Sequence, residues 1–148
     1  VRPDRLFVGW KDYQQVVLLR QMVHDLAMPV EVIGVPTVRE VDGLAMSSRN
    51  RYLTPTERQQ AVGLHQALEA AQAAWRQGER RAEPLLGCAR RVLASFAIRE
   101  IDYVELRDAG TLAPWPATPG QVSDTVPVML IAARVGAARL IDNRVFFV

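Results

Sequence analysis

Two apolar runs separated by one amphipathic stretch decide the fold class at the start of the chain. Residues 5–8 (RLFV) and 30–35 (VEVIGV) are rich in β-branched and aromatic side chains, as strands are. Between them, Val16, Leu19, Val23 and Leu26 recur at spacings of three and four, the pattern of a helix over about residues 11–27 with one buried face. Pro29 marks its exit. The helix returns the chain to the level at which the first strand began, so strand, helix and strand over about thirty residues predict a parallel βαβ unit. The apolar run VEVIGV reads as a buried strand. One such unit does not complete a stable sheet, and the first residue is Val1. The expectation is therefore an α/β fragment, the C-terminal portion of a longer chain.

After Pro36 the pattern changes. Residues 36–50 (PTVREVDGLAMSSRN) form a polar connection. Thr54-Pro55-Thr56-Glu57 then has the form of a capping box, with Thr as N-cap, Pro at the first helical position and Glu at the third. Ala61, Leu64, Leu68, Ala71 and Trp75 give this helix its inward stripe, and Gly78 suits its C-terminal stop. A second helix over about 82–96 turns Leu85, Leu86, Ala89, Leu93 and Phe96 inward. Residues 101–107, 126–134 and 138–141 read as three strands, with Gly136 in a hairpin turn between the last two and a Pro-rich loop over 112–120. The predicted organisation is the end of an α/β domain over 1–36, followed by a small α+β domain over 37–148, two helices on a three-stranded antiparallel sheet.

The composition is that of a globular chain, 49% hydrophobic and 23% charged over 148 residues. A net charge of +2 and only the short pairs Arg80-Arg81 and Arg90-Arg91 argue against a nucleic-acid footprint, which needs clustered cations. No apolar run is long enough for a membrane helix, and no signal peptide is visible, so the cytoplasm is the expected location. The single cysteine, Cys88, excludes an internal disulfide and reads as a small core residue. His24 and His65 have no third ligand at metal spacing and read as surface or satisfied core side chains.

Chemistry concentrates in two segments. The chain has 18 Lys and Arg residues, and Lys11 is the only lysine. It lies in Gly9-Trp10-Lys11-Asp12, where a strand ends and a helix begins, the place where parallel α/β sheets bind ligands and where free N–H groups favour phosphate. Gly9 permits close backbone approach, and a lysine there offers a compact, mobile charge. Against this stands chance survival of one lysine in an Arg-biased chain. Asp12 is either a holder of ribose hydroxyls or a helix N-cap. Gln14 and Gln15 follow in the first helical turn, where an amide suits a small hydroxy acid or simply faces water. The second segment is Met46-Ser47-Ser48-Arg49-Asn50, with hydroxyls, amides and a guanidinium in succession. It reads as a phosphate clamp or as a polar loop leading to the capped helix.

Taken in order, GWKDYQQ, GVPTVREVDGLAMSSRN, TPTER, IDYVELRDA and ARLIDN resemble the pantothenate synthetase (pantoate–β-alanine ligase) family over nearly the whole chain. The resemblance implies the end of a Rossmann-type nucleotide-binding domain followed by a small closing domain. It implies adenylation of pantoate by Mg2+-bound ATP, attack of β-alanine on the pantoyl adenylate, and release of AMP and pyrophosphate, with no nucleic-acid or membrane partner and a homodimer in the intact protein. By position, Gly9, Trp10, Lys11 and Asp12 would contact ATP, Gln15 pantoate, and Val38 the base. Met46, Ser47, Ser48 and Arg49 would form the second ATP segment, with Lys11, Ser47, Ser48 and Arg49 catalytic and no protein-bound metal. The family pattern has Glu where Trp10 stands, and its His-bearing segment lies upstream of these motifs. The expectation is thus a partial active site, inactive alone. A non-enzymatic assembly module derived from the family is the alternative.

Overall fold

Strand β1, Arg5–Gly9, pairs in parallel with β2, Glu31–Val35, in a register running from Arg5–Glu31 to Gly9–Val35. This is seen in a computed structural model that describes residues 2–115 and 126–147. A 3₁₀ turn, Trp10–Asp12, leads from β1 into α1, Tyr13–Asp25, which completes the predicted βαβ unit. The burial expected of that unit does not hold. Of the four stripe residues only Val16 is buried, and Leu26 is 65% exposed. Strand β2 has no fully buried residue. The physical reason is the lack of a second layer: among the described residues β1 and β2 form a two-stranded sheet. Helix α1 instead buries Tyr13 and Val16 at its N-terminal end, Tyr13 packing with Val128 and Leu130 of the second sheet.

Helix α2, Pro55–Arg76, starts on the predicted capping box: Thr54 Oγ1 accepts from Glu57 N–H at 3.3 Å, and Glu57 Oε2 accepts from Thr54 N–H at 2.8 Å. These bonds hold the Glu57 carboxyl below its ordinary range. The helix ends in a Schellman motif, with Gly78 N–H on Trp75 O and Glu79 N–H on Ala74 O, and Gly78 at φ +99°. Helix α3, Ala82–Ser95, closes in the same way, with Ala97 in the left-handed region. The inward residues predicted for both helices are buried in one cluster, with Phe96 half-buried against it.

The three-stranded sheet has the order β3-β4-β5, antiparallel throughout: β3 Glu100–Asp108, β4 Pro127–Val135 and β5 Ala138–Val145. Gly136, at φ +56°, makes the two-residue turn between β4 and β5, and its bare α-carbon lets the Glu57 carboxylate lie against it. Central β4 is buried on both faces. Met129, Ile131 and Ala133 face α2 and α3, while Val128 and Leu130 face the start of α1. Strand β5 runs on to Val145 and does not stop at Ile141, because Asp142 and Asn143 find buried partners. The expected loop is described as far as Trp115; its residues 116–120 lie outside the described residues. Cys88 is half-buried beside the Arg91 guanidinium and is not a core residue.

Candidate functional site

The 3₁₀ turn places Lys11 at the meeting of two depressions. One is a groove of about 570 Å³ along α1, lined by Lys11, Asp12, Gln14, Gln15, Leu18 and Met22 on one side and by Tyr103, Leu130, Ile141 and Asn143 on the other. The second is a narrow cleft of about 10 Å³ that Lys11 shares with Ser47, Arg49, Asn50 and Arg139. The two segments singled out in the sequence, separate along the chain, therefore converge on Lys11. Among the described residues Lys11 forms no ion pair, so its charge is free to meet an anion. Ser47 is the N-cap of the 3₁₀ turn Ser48–Tyr52, its Oγ accepting from Arg49 N–H at 3.2 Å. Arg49 reaches back to β5 through the Arg139 carbonyl at 3.5 Å. Two cations and a hydroxyl around one opening are groups that pair with phosphate oxygens.

Gly9 is exposed in extended backbone, and the space beside its α-carbon is empty for 4 Å. Asp12 occupies the N-cap position of α1, but its side chain caps nothing, against the cap reading. Its backbone, at φ −94° and ψ 64°, is outside the extended geometry that aims a capping side chain at the helix N–H groups. The carboxylate borders the groove instead. Gln14 and Gln15 both line that groove, so neither is turned away from it.

Other expected site residues are not gathered in. The Trp10 side chain lies flat on Gly34 of β2, where an added Cβ would come within 2.3 Å of the ring. The Arg20 guanidinium covers it at 4.8 Å and Tyr13 packs at 5.0 Å. Trp10 lines a different groove, with Pro36, Arg39 and Arg144. Val38 and Met46 are 62% and 55% exposed and, like Ser48, line neither the groove nor the cleft. His65 is not satisfied: among the described residues its Nδ1 is buried without a partner, and burial, then the Arg39 charge, push its pKa down. Three of the four paired arginines are neutralised or stacked, and Arg91 donates to Cys88 Sγ. Arg81 and Arg90 pair with Glu79 and Glu83, the first pulling the Glu79 carboxyl down to about 2, and Arg80 stacks on Trp75.

Sequence reasoning overlooked Arg139, Asp142 and Asn143 as contributors. A signal was present in two adjacent polar residues inside the apolar strand run LIDN. Asp142 is held by Arg39 in a two-pronged ion pair, and Asn143 donates to the carbonyls of Trp10 and Lys11. Tyr13 donates to Ala109 O at 2.9 Å, and burial raises its phenol pKa, so it stays a donor.

A cationic strand-to-helix turn facing a hydroxyl and guanidinium segment, beside a small antiparallel layer, defines an α/β protein with a cation-lined cleft. Comparison with known proteins makes that class specific. Residues 1–145 match the family model described as pantoate-beta-alanine ligase, and the chain belongs to that family. It is 57% identical to a pantothenate synthetase of Magnetococcus marinus over 98% of this chain and 48% of that one. It is 54% identical to a pantothenate synthetase of Mycobacterium avium over 97% and 43%. The solved pantothenate synthetase of Thermus thermophilus superposes with a TM-score of 0.86 at 42% identity, over 97% of this chain and 50% of that one. The pantoate-beta-alanine ligase of Francisella tularensis, solved in complex with beta-gamma ATP and beta-alanine, gives 0.60 at 28% identity, over 97% and 44%. The chain thus spans about half the length of the relatives it matches. Among the described residues no helix is long and apolar enough to cross a membrane.

Proposed function

We propose that this chain supplies the phosphate-holding side of a ligase that condenses pantoate with β-alanine at the expense of ATP. The observation that carries this reading is the convergence of Lys11 with Ser47 and Arg49 on one cleft, in a chain of this family. In the first step a pantoate carboxylate oxygen attacks the α-phosphorus. The bond to the bridging oxygen breaks, and pyrophosphate leaves. Lys11 and Arg49 face the charge that builds on the leaving phosphates, and fixed cations in place before the reaction lower its barrier. In the second step the β-alanine amine attacks the pantoyl carbonyl and AMP departs. The anhydride is already activated, so that step asks for positioning and exclusion of water, and no side-chain nucleophile is needed. Gln15, on the groove wall, is suited to the pantoate hydroxyls, and Asp12, free of any cap, to the ribose. Magnesium enters as part of the MgATP substrate. Among the described residues no three acidic, His or Cys side chains gather to hold it.

Residues 1–36 are read as the end of a Rossmann-type domain and 37–148 as a lid. Trp10 contributes through its backbone, while Val38, Met46 and Ser48, exposed and outside both depressions, meet the nucleotide only once it is bound. The test is AMP release from MgATP, pantoate and β-alanine, for the 148-residue chain and for the chain extended through its own upstream sequence. Release by the extended chain alone, abolished by Lys11→Ala, is the expected result. Release by neither favours the assembly module.

A further inference from the structure

Strand β5 stands between the two segments of the cleft, and its alternation delivers one polar side chain to each. Asp142, 4% exposed, faces the α2 side and takes Arg39 with both oxygens, at 2.6 and 2.9 Å. The same guanidinium donates to Gly43 O at 3.0 Å. Arg39 is bridged to Ala45, two residues before Ser47. The next residue, Asn143, 9% exposed, faces the other way and donates from Nδ2 to the carbonyls of both Trp10 and Lys11, each at 2.9 Å. Burying two polar side chains in a strand costs free energy that apolar residues would avoid. Their partners here are the two segments that carry the candidate phosphate contacts. Asn143 holds its turn without adding a charge beside Lys11; a carboxylate there would repel both carbonyls and compete for the ammonium.

We infer that Asn143 and Asp142 are a pair of positioning residues: Asn143 fixes the turn that aims Lys11, Asp142 fixes the Ser47–Arg49 segment through Arg39, and their adjacency in β5 sets the spacing of the two. The inference rests on the phosphate reading proposed above. It is tested on the whole 148-residue chain carrying lysine labelled with nitrogen-15, which gives a single backbone amide signal because Lys11 is the only lysine. Asn143→Leu, or the smaller Asn143→Ser should the first variant not fold, displaces or broadens that signal in the free protein. It also weakens MgATP binding, followed by the same signal, about tenfold, the scale of a lost pair of hydrogen bonds. Arg39→Gln, which adds no second lysine, leaves the free-state Lys11 signal in place and weakens MgATP binding. A lower melting temperature in either Asn143 variant with the Lys11 signal unmoved overturns the inference, since a purely structural role acts that way. If MgATP does not move the wild-type signal, the phosphate reading fails, and the displacement caused by Asn143→Ser still decides whether the turn is pinned.

Discussion

Replacing Asp142 by alanine removes the counter-ion of Arg39 from a place where water reaches it poorly. The Asp142 side chain is 3% exposed and that of Arg39 is 22% exposed. Two charge-assisted hydrogen bonds from Arg39 disappear, each worth about 1.5–3 kcal/mol, together with one from the Asn143 backbone N–H, and breaking a fully buried pair costs about 3–5 kcal/mol. Arg39 regains some hydration through its exposed fraction and keeps the Gly43 carbonyl, so the expected loss lies near the lower end, about 3 kcal/mol. For 148 residues the unfolding entropy is about 0.3 kcal/mol/K, which turns that loss into a fall of about 10 °C in the melting temperature. Far-UV circular dichroism melts at pH 7, with urea titrations to give the free energy, read it directly. Two companions sharpen the test. Arg39→Met in the Asp142→Ala background removes the stranded guanidinium and recovers part of the loss. Glu31→Ala breaks the pair with Arg5, whose side chains are 65% and 64% exposed, and costs under about 1 kcal/mol. If Asp142→Ala costs no more than Glu31→Ala, burial of the pair is not what gives it weight and the reasoning fails.

Ala97, held at φ +57° at the end of α3, becomes about 1 kcal/mol more stable as glycine, measured by urea unfolding, because an alanine strains in that region and glycine does not. Gly34→Ala drives a methyl into the Trp10 ring and lowers stability while shifting Trp10 fluorescence; a variant that also carries Trp10→Ala loses that clash. His65 titrates below its ordinary value, and the unfolded chain binds its proton first as pH falls. Its neutral-state stability is therefore complete above about pH 6.5 and is lost as pH drops through the lower folded value. Arg39, Glu69, Asp142 and Arg144 all bear on that imidazole, and His65→Gln flattens the slope of melting temperature against pH between 7 and 5.

The parts that could be read from the sequence are those whose causes lie within a few residues. The α2 cap is made by Thr54 and Glu57, three positions apart, and its Gly78 stop needs only a left-handed residue. The parallel pairing of β1 with β2 follows from the helix between them. Burial of the α1 stripe could not be read in the same way, because a 3.6-residue period states which face is apolar and not whether another layer covers it. Lys11 and the Ser47–Arg49 segment stood out through residue type, but their meeting depends on contacts of β5 with the two 3₁₀ turns. Asn143 and its carbonyl partners lie 132 and 133 positions apart, and Asp142 and Arg39 lie 103 apart, distances at which no local pattern reports a contact. His65 looked like an ordinary helix residue because the burial of its Nδ1 depends on packing beneath the Gly43 turn.

A chain with one lysine offers a lysine-specific protease one bond, the peptide between Lys11 and Asp12. The carbonyl of that same bond is the one that Asn143 holds at 2.9 Å. A protease needs its target drawn out into an extended strand, and this one is wound into a 3₁₀ turn and tied to β5. Nicking can proceed only from molecules in which the turn has let go, so with protease in excess enough to outrun reclosing the cutting rate counts those openings one by one. The molecule thus carries its own clock for the loosening of its candidate site, readable on a gel as the loss of eleven residues.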